Sequence, residues 1–214
     1  MKYLTSQVNC LIRKVRFYVG DKMTFVDPLA VMLIGLAMGT FLGAFYYYFK
    51  ARGNEEQIRN LVVPALAIGF FDFISGFYMS FAWPMTSFGT PYNMLFGDPL
   101  LLFGLLLMVS AVMVYKNMHL GMVPMLFLLM GIYVLVGAYS IVELKLETGQ
   151  DLITALGLYL FDGIGALLAP IAYIKPEGSR KSIYYVEWII LGIGTIFALV
   201  IGYMALNGHL AAPP

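Results

Sequence analysis

The sequence predicts an all-α membrane protein with six transmembrane helices, arranged as two inverted three-helix repeats behind an N-terminal interfacial amphipathic helix. Three observations carry that prediction. Hydrophobic residues make up 61% of the 214-residue chain and charged residues 12%, roughly half the charged share of a globular protein. Six apolar runs each approach the length of about twenty residues that a helix needs to cross hydrocarbon. Two aspartates, Asp72 and Asp162, fall near the centres of corresponding runs.

Residues 1–27 come first and place Leu4, Val8, Leu11, Ile12, Val15 and Tyr18 at helical spacing, with Arg13, Lys14 and Arg16 on the other side. That pattern predicts a helix lying in the membrane interface or docked on the protein's own helices. The segment has no continuous apolar stretch and carries five basic residues, so no cleavable leader is expected. The spans are predicted at 28–49, 61–83, 99–116, 120–142, 152–174 and 183–206. Asp27-Pro28 and Asp98-Pro99 mark the first and third starts, because a carboxylate can cap free amides and proline suits the first helical turn.

Three spans make an odd unit, so a second copy of that unit enters the membrane from the opposite side. "LAIGFFDFISGFYMSFAW" (66–83) aligns without gaps with "LGLYLFDGIGALLAPIAY" (156–173) at an offset of 90 residues, pairing Phe71-Asp72 with Phe161-Asp162. "MGTFLGAF" (38–45) and "MGIYVLVGAY" (130–139) correspond more faintly, and an acid opens the third and sixth spans, Asp98 and Glu187. The chain is therefore divided into the segment 1–27, a first repeat over 28–116, and a second repeat with a short tail over 117–214.

An aspartate at mid-membrane costs roughly 2.5–3.5 kcal/mol on insertion scales, so it is expected to be compensated or used. At helical spacing Asp72 shares a stripe with Ala65, Gly69, Ser75, Gly76, Met79, Ser80 and Trp83. Asp162 lines up with Ala155, Gly165, Ala166, Ala169, Pro170 and Tyr173. Both stripes suit close helix contact rather than lipid. Pro170 would free a carbonyl near residue 166, and Gly35, Gly39 and Gly43 would admit a neighbouring helix.

These features select Asp72 and Asp162 as candidate proton- or ion-binding residues, with Ser75 and Ser80 beside them and Asp98 and Glu187 as secondary acids. The charge-free connection after the second span places Trp83, Phe88, Tyr92 and Phe96 as an aromatic belt or a cavity mouth, with Trp83 and Tyr92 the mouth candidates. His119 and His209 fall on opposite faces in this topology, and Cys10 is the single cysteine, so neither a haem held by both histidines nor a thiolate cluster is expected, and no cofactor is expected. A hard cation held by carboxylate and carbonyl oxygens is left open. Asp162 lacks the preceding glycines of an intramembrane aspartyl protease, and no nucleophile with a neighbouring base is visible.

The basic residues give no clear orientation, with seven on one face and six on the other when the N-terminal segment is counted. A cytoplasmic N-terminus is favoured because moving five basic residues across a plasma membrane is unfavourable. Net charge of +1 argues against a nucleic-acid surface. The expected partners are the lipid bilayer and a small ion or solute, with a homo-oligomer or a larger membrane complex left open.

The run "DFISGFYMSFAWP", followed by "YNMLFGDPLLL" (92–102), resembles a family of small archaeal and bacterial membrane proteins catalogued as domain of unknown function 981. The likeness is best over the first three spans. It implies a compact polytopic helical protein of archaeal type and brings no activity, cofactor or catalytic residue with it. The function expected from the residues is a proton- or cation-coupled transporter or channel using the aspartate pair. The alternative is a non-catalytic integral subunit of a larger, for example respiratory, complex.

Overall fold

The structure, a computed structural model, describes residues 28–85, 89–174 and 177–211. The expected interfacial helix, Asp27 and Phe88 lie outside the described residues. The described residues form helices only: α1 (Leu29–Arg52), α2 (Glu55–Asn60), α3 (Val62–Ala82), α4 (Thr90–Tyr115), α5 (Val123–Glu143), α6 (Gly149–Leu168), α7 (Ile171–Ile174) and α8 (Glu177–Ala211). Six stretches are long and apolar enough to cross a membrane, with α2 and α3 forming one and α6 and α7 another.

Local chemistry explains where the spans stop. Gly53, Asn117 and Lys145 adopt φ of 66°, 52° and 51°, a left-handed conformation that reverses the chain after α1, α4 and α5. In each case the next amide donates back across the turn: Asn54 to Phe49, Met118 to Met113 and Leu146 to Ile141. Otherwise orphaned terminal carbonyls are thereby satisfied. Asn54 then starts α2 by accepting the Gln57 amide at 3.2 Å, and Glu55 in its first turn pairs with Lys50 at 2.8 Å.

The third span differs from its predicted start. It begins at Thr90 with Pro91 in the first turn, so Asp98-Pro99 lies inside the helix and not at its cap. Proline at 99 has no N–H for the carbonyl four residues back, that of Leu95. The Tyr159 hydroxyl of α6 donates to that carbonyl, which explains how the helix carries proline internally. The start is fixed by Asn93, which is fully buried. Its amide donates to the Met85 carbonyl at 2.7 Å, and its oxygen accepts the Met85 amide at 3.1 Å, pinning the chain that leaves α3.

The spans form a ring in chain order: α1 packs on α3, α3 on α4, α4 on α5, α5 on α6, α6 on α8, and α8 returns to α1. Small residues make the closest crossings possible. A Cβ at Gly104 would collide with the backbone of Phe73, and one at Gly76 with the backbone of Leu101, so α3 and α4 meet backbone to backbone. Between α1 and α8 the Thr40 and Thr195 hydroxyls share a 3.0 Å hydrogen bond, with Gly202 over Ile34 further along. Outside the ring, Val63, Phe70, Phe81, Leu129 and Ile196 are exposed, the surface a bilayer would cover.

Candidate functional site

A cavity of about 170 Å³ lies inside the ring and is lined from all six spans. Its walls are aliphatic and aromatic, with Ala65 and Phe103 on one side and Phe127 and Leu191 on others. Among the described residues, Asp162 is the one acidic side chain on its wall. At one end stand Tyr46 and Tyr173, whose hydroxyls are 2.8 Å apart.

Asp162 sits mid-span on α6, one turn after Tyr159, and its Oδ1 is shielded from solvent with no hydrogen-bond partner. It reaches this position because α8 presents a glycine there: a Cβ on Gly194 would collide with Oδ1. The predicted stripe around it is buried at Ala155, Gly165, Ala166, Ala169 and Pro170. Pro170 breaks the helix, and α7 resumes after it.

Asp72 occupies a different seam. It is fully buried in the middle of α3, with neither carboxyl oxygen hydrogen-bonded. A Cβ on Gly35 of α1 would come within 2.5 Å of Oδ1, and one on Gly39 within 3.2 Å of Oδ2. Two of the three glycines spaced along the first span thus make room for one carboxyl. Asp72 does not line the cavity, but Gly39 does, so the carboxyl lies next to a glycine of the cavity wall.

Glu187 is the third such acid. It is fully buried on α8, and both of its oxygens lack hydrogen-bond partners. A Cβ on Gly165, another residue of the cavity wall, would lie 3.5 Å from Oε2. Of the three unpartnered carboxyls, Asp162 lines the cavity, while Asp72 and Glu187 lie next to glycines that do.

The other predicted residues have different surroundings. Ser75 donates to the Phe71 carbonyl of its own helix at 2.6 Å. The Ser80 Oγ is buried without a partner against Gly97. Asp98 accepts the Tyr133 hydroxyl at 2.8 Å between α4 and α5. Trp83 is exposed and donates its ring N–H to the Ser80 carbonyl at 2.8 Å. Tyr92, in the first turn of α4, donates to the Leu146 carbonyl at 3.1 Å, tying the start of that helix to the connection after α5. Neither lines the cavity, whose tyrosine pair is at the opposite face. His119 is exposed and accepts the Gly121 amide.

Sequence reasoning placed Gly165 and Tyr173 on the Asp162 stripe but missed Tyr159, Gly194 and the pairing of Tyr173 with Tyr46. Pro99 signals that the Leu95 carbonyl needs a donor, but only the packing of α6 against α4 supplies its identity. Among the described residues no three histidine, cysteine, aspartate or glutamate side chains come together to hold a metal ion.

A search of curated proteins and a search of solved structures each returned no match. The profile of one family, described as protein of unknown function (DUF981), matches residues 23–212, nearly the whole chain. The chain belongs to that family of proteins of unknown function, DUF981.

Proposed function

We propose that this protein is a small proton-coupled transporter or channel of the plasma membrane, in which Asp162 takes up and releases a proton at the central cavity. The observation that supports this reading is the set of three buried carboxyls without hydrogen-bond partners, one of them on the cavity wall. Structural acids in membranes are ordinarily paired with one another, with a base or with backbone. A carboxyl with no counter-charge can change its charge only together with a proton or a cation. A hard inorganic cation takes about six oxygen ligands, whereas the cavity wall offers one carboxyl among apolar side chains. A proton needs a single oxygen.

In this reading Asp72 and Glu187 shape the electrostatics of the cavity from beside Gly39 and Gly165. Two inverted three-helix repeats, expected from the 90-residue offset, would give the fold the two-sided access that alternating transport requires. The test is proton flux in liposomes containing the purified chain. The wild-type protein should dissipate an imposed pH gradient, and Asp162→Asn should reduce the rate at least about tenfold, as expected for loss of an essential proton carrier. Unchanged flux in the Asp72→Asn, Asp162→Asn double variant would overturn the reading.

A further inference from the structure

The cavity is larger than a proton requires. A water molecule needs about 10–15 Å³ of comparable space, so a volume of about 170 Å³ admits a solute. Its walls say which solutes are suited. Apolar and aromatic side chains surround the site, and the polar groups of the wall are largely committed: Thr40 to Thr195, Tyr46 to Tyr173, and Tyr159 to Leu95. Asp162 remains without a partner. An anion would meet that carboxyl with no basic side chain on the described wall to offset it. A neutral hydrocarbon would leave Asp162 unsatisfied, which is costly in a dry interior.

A second feature supplies a route. On the lipid-facing side, a groove between α1 and α3 is lined by Met38, Phe41, Leu42, Pro64 and Ile68, and Thr195 and Leu199 of α8 also border it. Leu42 lines both the groove and the central cavity, so one side chain separates lipid from the interior at this point. The groove itself is apolar, suited to a solute already dissolved in the bilayer.

We propose that the cavity takes up a lipophilic organic monocation from the bilayer through the groove between α1 and α3, and holds its charge at Asp162. The apolar body of the solute lies against Phe103 and Phe127, and the wall tyrosines Tyr46 and Tyr173 add aromatic rings of the kind that attract a cation. This deepens the proton-coupled reading, because cation and proton then compete for the same carboxyl. The ionisable groups around that carboxyl are Tyr159 on its own helix, Tyr46 and Tyr47 on α1, Asp98 on α4, Tyr133 on α5, Tyr173 on α7 and Glu187 on α8, and none of them is basic.

The probe is benzyltriethylammonium, compared with phenylmethanesulfonate, a similarly sized anion, in equilibrium binding to the purified full chain in neutral detergent. Wild-type protein should prefer the cation by at least about tenfold, equivalent to about 1.4 kcal/mol. Asp162→Asn should abolish that preference and Asp162→Glu should retain part of it. Met38→Trp, which fills the groove but not the cavity, should slow cation entry in proteoliposomes without changing the equilibrium affinity. Equal binding of cation and anion by the wild type overturns the proposal without relying on any variant. A folded, monodisperse Asp162→Asn with full cation preference overturns it too, and an unslowed Met38→Trp overturns the lipid-side route. Cation preference without proton flux would refute proton coupling alone, whereas proton flux that depends on Asp162 without cation preference would refute this inference alone.

Discussion

Asp72 and Asp162 occupy the same place in two similar stretches of sequence, yet they have different neighbours. Asp72 is pressed into a notch made by Gly35 and Gly39 on α1, with no space beside it. Asp162 meets Gly194 on α8 and has the cavity on its other side. A strict two-fold relation would have set Asp162 against α5, the counterpart of α1. The difference teaches that the helix carrying the acid does not decide its role. The glycine pattern of the neighbouring helix does, because it determines whether the carboxyl is enclosed or has somewhere to move.

Replacing each acid with leucine should give opposite results. Asp72→Leu overfills the notch and should cost about 1–3 kcal/mol, the range for overpacking a close-packed interior. Asp162→Leu places the added bulk in the cavity and removes an unpartnered carboxyl, so it should stabilise the fold by about 1 kcal/mol while abolishing proton flux. Thermal denaturation in detergent checks the pair, and destabilisation of equal size would remove the distinction. The reciprocal substitutions sharpen it. Gly35→Ala should lower the melting temperature clearly, because the added methyl meets both the Asp72 carboxyl and the Phe71 ring, while Gly194→Ala should cost less than about 1 kcal/mol as Asp162 swings into the cavity.

The ring around the cavity can be tested at the Pro99 site. Tyr159→Phe removes the donor to the Leu95 carbonyl and should cost about 0.6–1.7 kcal/mol, the range seen for hydrogen bonds between membrane helices. Pro99→Ala restores the backbone N–H, so in its presence the same change should cost much less. A double-mutant cycle measures that coupling, and additivity would show that the hydroxyl does not substitute for the missing amide.

The smallest effect lies outside the spans, where burial raises the pKa of Glu147, with the nearby Tyr92 hydroxyl opposing the rise and Asp151 adding to it. A carboxyl whose folded pKa is raised binds its proton more readily in the folded state, so stability falls as pH rises from the ordinary glutamate value of 4.5 through the folded one. Glu147→Gln should therefore raise the melting temperature slightly at neutral pH and leave it unchanged well below that ordinary value. A gain of the same size at both pH values would contradict the assignment.

Much of this architecture was legible in the sequence, for identifiable reasons. Apolar run length located the six spans, since hydrocarbon thickness sets that length directly. Spacing placed Ala65, Gly69, Asp72, Gly76 and Met79 on one face of α3, and all five are buried. Asp98-Pro99 misled because an acid followed by proline looks alike at a helix start and inside one. The difference rests on a hydroxyl from Tyr159, 60 residues away in sequence, and local pattern holds no trace of it. The alignment of Asp72 with Asp162 likewise carries no information about which helix lies opposite each. Trp83 and Tyr92 were grouped with a cavity by their composition, but the aromatic pair at the cavity's end is Tyr46 and Tyr173, on α1 and α7, which the tertiary packing brings together.

The central claim is that the cavity makes the carboxyl of Asp162 reachable and leaves that of Asp72 enclosed. Reaction of the purified protein with a hydrophobic carbodiimide, followed by mass-spectrometric mapping of the adducts, tests this most directly, because the reagent enters from lipid and modifies carboxyls it can contact. The account predicts an adduct on Asp162, little or none on Asp72, and loss of proton flux in proportion to labelling. Equal labelling of the two aspartates, or labelling of Asp72 with Asp162 spared, would contradict it.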